Sequence, residues 1–104
     1  MAFRDERHWK QFHNPKDVAL SLVLEAAEVL EHFQWKNGKE LEEYAKTHKN
    51  DIADEIADVF NWVLILSHDL GIDIARASEK KLMKIKLKYP VHKTKGRTTK
   101  YNKL

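Results

Sequence analysis

The residues with the clearest chemical potential are acids. Glu25 and Glu28 lie three positions apart, so on a helix both project from one face a turn apart. Asp51, Asp54, Glu55 and Asp58 repeat the arrangement inside an arc of roughly 100°. Like charges at these spacings repel, and no Lys or Arg stands among them on either segment. If the two acidic arcs face each other, four or more carboxylates meet in a partly buried space. That arrangement is unfavourable unless a divalent cation neutralises it. A solvated helix face is the competing reading, as it is for most acidic clusters.

Two features favour the cation. The acids are embedded in apolar runs, Leu22-Val-Leu-Glu-Ala-Ala-Glu-Val-Leu30 and Ile52-Ala-Asp-Glu-Ile-Ala-Asp-Val-Phe60. Trp62 lies on the acidic face one turn beyond Asp58, where a solvated surface has little use for an indole. With no cysteine in the chain, any metal must be held by oxygen or imidazole. A di-iron bundle would want Glu-x-x-His pairs, and His32 follows Glu28 at four residues rather than three. An all-carboxylate set favours Mg²⁺, with Mn²⁺ as the alternative.

The elements that must position these groups are helices. The chain has 104 residues, enough for one domain, and only two prolines and three glycines punctuate it. A short helix is expected over Phe3–Phe12, ended by His13-Asn14-Pro15. Asn14 should cap a second helix that starts at Pro15, runs to about Trp35 and is closed by Asn37-Gly38. A third is expected from near Lys39 to Leu70, with an interruption around Thr47–Asn50 and Gly71 as its stop. Asp73 caps a fourth that ends before Tyr89-Pro90, and residues 91–104 form an extended basic tail. No segment alternates with period two, so the fold class expected is all-α, a four-helix bundle in one domain spanning 1–104.

The apolar residues of the second helix, from Val18 to Leu30, sweep roughly 200°, against the ~100° stripe of a one-sided surface helix. Such a helix needs cover on two sides, which implies a homo-oligomer with a shared core. Residues 1–79 hold 9 Lys/Arg and 16 Asp/Glu, a balance of −7, whereas residues 80–104 hold 10 Lys/Arg and no acid. A basic end attracts polyanions, either the phosphates of a small ligand or a nucleic acid. The acidic block would repel a long polyanion but suits a metal-chelated one. A helical nucleic-acid-binding module or an oligomeric scaffold remains the alternative reading. No apolar run approaches the ~20 residues of a membrane span, and the N-terminus is not a signal peptide, so a cytoplasmic protein is expected.

Glu25-Ala-Ala-Glu28 and Glu55-Ile-Ala-Asp58, separated by 26 residues, resemble the paired acidic signature of MazG-like pyrophosphohydrolases. The flanks resemble that family's dCTP pyrophosphatase branch: Trp9-Lys-Gln-Phe-His13 with Pro15, Phe33-Gln-Trp35, Ala57-Asp-Val59, Tyr89-Pro-Val-His-Lys93, and Lys100-Tyr101 through Leu104. The resemblance implies Mg²⁺-dependent conversion of a (deoxy)nucleoside triphosphate, with dCTP or a related pyrimidine deoxynucleotide preferred, to monophosphate and pyrophosphate. It implies Glu25, Glu28, Glu55 and Asp58 as the catalytic magnesium ligands. Trp9, Lys10, Gln11, Phe12, His13 and Trp35 then form the nucleotide-contacting wall. Trp62 stands where relatives usually carry tyrosine, which replaces a phenolic hydrogen bond by indole stacking. In the fourth helix Lys81 matches, while Ile85 and Lys88 stand where asparagine and arginine are usual. Lys81, Lys84 and Lys88 fall on one helical stripe and could hold phosphates as point charges. The partners implied are the nucleotide and further copies of the chain, most simply a dimer of dimers, with neither nucleic acid nor membrane.

Overall fold

The computed structural model describes residues 13–89 together with Ala2, Glu6 and Arg7. The expected first helix, with Trp9, Lys10, Gln11 and Phe12, and the tail over 91–104 lie outside the described residues. Four helices are described, in the order α1 (Pro15–Glu31), α2 (Gly38–Thr47), α3 (Lys49–Asp69) and α4 (Ile74–Lys88), with no strand among the described residues. The all-α expectation holds. No helix among the described residues is long and apolar enough to cross a membrane. The chain divides into two compact units, Met1–Gly71 and Ile72–Leu104.

In the first unit, α1 starts where local chemistry says it should. The Asn14 side chain accepts from the Asp17 backbone N–H at 2.9 Å, and Pro15 occupies the first turn, where its missing N–H costs nothing. The end of α1 departs from expectation. The helix stops at Glu31, and His32–Trp35 form a turn in which the Phe33 and Gln34 N–H groups both donate to the Leu30 carbonyl. Gly38 does not close α1; it opens α2, with φ at +57°, a left-handed value that glycine adopts without a Cβ penalty. The long third helix is likewise broken, and a single residue, His48, ends α2 and begins α3. Gly71, with φ +67°, follows the end of α3 as expected.

α1 and α3 pack against each other through matching seams. Along α1 the shielded positions include Val18, Leu22, Glu25 and Val29, continued by His32 just past its end; along α3 they include Ile52, Glu55, Val59, Trp62 and Leu66. Their spacing alternates between three and four residues, as the facing stripe of a packed helix must. Val18 and Ile52 are buried and set the core, with Ser67 beside them in burial. Within that stripe Glu25 and Glu55 take positions that packing alone would give to leucine.

In the second unit α4 begins at Asp73, whose carboxylate accepts from the Arg76 N–H at 3.1 Å.

Candidate functional site

Glu25, Glu28 and Glu55 converge: one carboxylate oxygen from each lies within 4.8 Å of the other two. Glu25 and Glu55 are half-buried and Glu28 is exposed, so the cluster opens to solvent on one side. Oε2 of Glu25 and Oε2 of Glu55 are both buried with no hydrogen-bond partner. Ionised carboxylates only accept, so such an atom shielded without a donor is unfavourable, the more so when it is charged.

The titration of the pair records the same conflict. Burial, then the hydrogen bond and charge of Glu28 and the charge of Asp58, push Glu25 above the usual carboxylate range, against a lowering hydrogen bond from Glu55. Glu55 is raised to about 7, first by its hydrogen bond with Glu28, then by burial and by the charges of Glu28, Asp58 and Glu25. A proton or a cation on this cluster would relieve the repulsion among the three carboxylates. The donor set is all oxygen and its buried lone pairs are unused, which suits a hard divalent ion.

Asp58 stands outside the 4.8 Å group but is near enough for its charge to raise both Glu25 and Glu55. Asp51 and Asp54 are exposed and do not join the cluster. A cavity of about 410 Å³ adjoins the acids, lined by Glu28, Glu31, His32, Tyr44 and Glu55. Toward the other end of the α1–α3 seam, the rings of His13 and Trp62 meet edge-on with centroids 5.5 Å apart. Trp35, on the turn after α1, is 83% exposed. Lys81, Lys84 and Lys88 are exposed on α4, in the second unit.

One group escapes the sequence reading. Tyr44 of α2 shares a 2.7 Å hydrogen bond with His32 Nδ1 and stacks on His48 with centroids 4.0 Å apart and planes 12° apart. The Lys36 ammonium lies 4.1 Å from the centre of the Tyr44 ring. The phenol ring thus has both an imidazole and an ammonium against it. Tyr44 follows His32 by twelve residues across an irregular turn, and no periodic pattern links the two.

A model of the MazG-like family matches residues 20–104. This chain belongs to the MazG-like family. Among its MazG-like relatives, dCTP pyrophosphatase 1 of Rattus norvegicus is 36% identical over 104 residues, and that of Homo sapiens is 31% identical. Each alignment takes in 98% of this chain and 61% of the relative, so the chain spans about three-fifths of the length of the curated relatives it matches. The crystal structure of a pyrophosphatase from Archaeoglobus fulgidus superposes with a TM-score of 0.81 at 39% identity, covering 86% of this chain and 83% of that one. The all-helical MazG-like fold is thus present.

Proposed function

We propose that this chain is a Mg²⁺-dependent nucleoside triphosphate pyrophosphohydrolase that converts a (deoxy)nucleoside triphosphate to the monophosphate and pyrophosphate. The observation that carries this reading is the meeting of Glu25, Glu28 and Glu55 with two buried, donorless oxygens. The names of its relatives, dCTP pyrophosphatase 1 and a pyrophosphatase, support the reaction class and a deoxycytidine-type substrate.

Glu25, Glu28 and Glu55, with Asp58 at the edge of the group, would hold the magnesium. When bound, such an ion neutralises triphosphate charge and makes water a better nucleophile near neutral pH. Water oxygen bonds to the α-phosphorus, the bond to the α–β bridging oxygen breaks, and pyrophosphate departs with that electron pair. A carboxylate of this set, or Glu31 or Asp54 beside it, accepts the water's proton. His13 and Trp62 receive the base, while Trp35, on the turn at the other end of the seam, and the Trp9–Phe12 segment are proposed nucleotide contacts on sequence grounds alone. Stacking on such rings is worth ~1–3 kcal/mol per base and tolerates any of them, so selectivity rests on hydrogen bonds such as those His13 can make. Lys81, Lys84 and Lys88 are proposed phosphate contacts on sequence grounds.

We read the two compact units as parts of one MazG-like domain, because the family match runs through both. The assembly we propose is a homo-oligomer, a dimer of dimers. Val23 of α1 is 62% exposed, Leu24 59%, and Phe60 of α3 58%, with Leu20, Leu30 and Ile56 exposed beside them in the chain, an apolar surface that a second copy would cover.

Incubating the protein with a panel of triphosphates in H₂¹⁸O, with and without Mg²⁺, tests the reaction. Pyrophosphate release with ¹⁸O in the monophosphate is expected. Label in pyrophosphate, or orthophosphate as the product, would refute attack at the α-phosphorus.

A further inference from the structure

The α1–α3 seam has a direction. His13, ahead of α1, meets Trp62, late in α3, while Glu28, late in α1, meets Glu55, early in α3, so the two helices run antiparallel. The carboxylates therefore lie between two ring clusters. One is His13 with Trp62; the other is His32, Tyr44 and His48. At 1.5 Å per helical residue, Trp62 is about 10 Å along α3 from Glu55, and His32 is about 6 Å along the chain from Glu28. That separation matches a nucleotide laid along the seam, its base at one end and its phosphates crossing the acids toward the other.

We propose that His32 and Tyr44 form a donor wall that receives the leaving pyrophosphate half of the substrate, an inference that rests on the pyrophosphohydrolase reading. Both residues line the cavity beside Glu28 and Glu55. Their shared hydrogen bond makes the pair adaptable. If the tyrosine hydroxyl donates to Nδ1, the neutral imidazole carries its proton on Nε2. If Nδ1–H donates instead, the phenolic hydrogen is released. In either arrangement one donor is left for a third group, and an entering oxyanion selects the arrangement that serves it. The remaining lining residues, Glu28, Glu31 and Glu55, can only accept when ionised, so among the lining residues the His32–Tyr44 pair supplies the donors for phosphate oxygens. The three acids also dictate that the ligand arrives as its magnesium complex, since a bare polyanion would be repelled. The ring contacts of Lys36 and His48 hold the phenol in register for this task.

The test uses the full chain and calorimetric binding of magnesium pyrophosphate, with dCMP as the control for the nucleoside end. Tyr44→Phe keeps the stacked ring and removes the hydroxyl; His32→Leu removes the imidazole; His32→Gln restores a donor. Magnesium pyrophosphate affinity should fall roughly tenfold in the first two, the scale of a hydrogen bond to a charged group. The affinity should recover in part with glutamine, while dCMP affinity stays unchanged. In turnover, KM for the triphosphate should rise more than kcat falls. Unchanged pyrophosphate affinity in both variants, an equal loss of dCMP affinity, or a wild-type chain that does not bind magnesium pyrophosphate each overturns the proposal. A wild-type chain that binds pyrophosphate through these residues yet hydrolyses no triphosphate would refute the reaction and leave the donor wall standing.

Discussion

The imidazole of His13 meets the indole of Trp62 edge-on, with ring centroids 5.5 Å apart and planes at 72°. A residue just ahead of α1 and one late in α3 are thereby joined at one end of the seam that carries the acids. The two rings therefore present one continuous aromatic surface.

Base selection should therefore depend on the two rings jointly. His13→Ala should compress the ratios of kcat/KM between dCTP, dTTP, dATP and dGTP, and Trp62→Ala should raise KM for all of them. The double variant should lose less than the two singles added together, with a coupling of about 0.5–1.5 kcal/mol, as expected for an aromatic pair in contact. Strict additivity would mean that the pair does not act as one surface.

Removing charge from the acids should separate catalysis from folding. Glu25→Gln, Glu28→Gln and Glu55→Gln should each lower magnesium-dependent kcat/KM by more than the ~10–100-fold typical of losing an outer-shell partner. Asp58→Asn, outside the 4.8 Å group, should cost less than these three yet remain severe. Circular dichroism should show helix content unchanged throughout. Wild-type rates in all four variants would remove the carboxylates from the mechanism.

Without metal, the stability of this protein should rise as pH falls through the neutral range. The carboxyl of Glu55 is raised from 4.5 to about 7 in the fold, so the folded chain holds a proton that the unfolded chain releases. The penalty for ionising it is fully present above about pH 7 and is relieved as pH drops toward 4.5. Melting curves in chelator at pH 7.5 and 5.0 should show the higher Tm at the lower pH, and Glu55→Gln should flatten the difference. Magnesium should reverse the order by raising Tm most at pH 7.5, with about 2.7 kcal/mol gained at a hundredfold excess over Kd. A wild-type difference identical to that of Glu55→Gln would contradict this account.

Light scattering at micromolar concentration should report a tetramer. Leu24→Asp, on the exposed apolar side of α1, should shift it toward smaller species. A stable wild-type monomer would contradict the shared core.

Rules that act over a few residues made part of this fold legible in advance. Asn14-Pro15 and Asp73 mark the starts of α1 and α4, and Gly71 the end of α3, because each cap is satisfied by atoms three or four positions away. The end of α1 was not legible. Phe33-Gln34-Trp35 carries no breaker, and the turn there closes on hydrogen bonds to Leu30 and Phe33 that no residue type announces. The two acidic segments were legible because their spacing is helical and their neighbours apolar, whereas the meeting of Glu25, Glu28 and Glu55 with Asp58 outside depends on how α1 and α3 pack. Tyr44 was not, since its partnership with His32 depends on how a turn and a second helix fold back.

The single-residue joint at His48 ties α2 to α3 mechanically. The His48 N–H donates to the Tyr44 carbonyl at 2.9 Å, and the His48 carbonyl accepts from the Ile52 N–H at 3.0 Å, so the backbone bonding hardly lapses between the two helices. Tyr44 lies on one arm of this joint and Glu55 on the other. Adding one residue at this joint would rotate the first arm by about 100° relative to the second and swing the phenol away from the acids. Length is therefore constrained at this joint, and Gly or Ser insertions there should cost ligand affinity even where every contacting residue is retained.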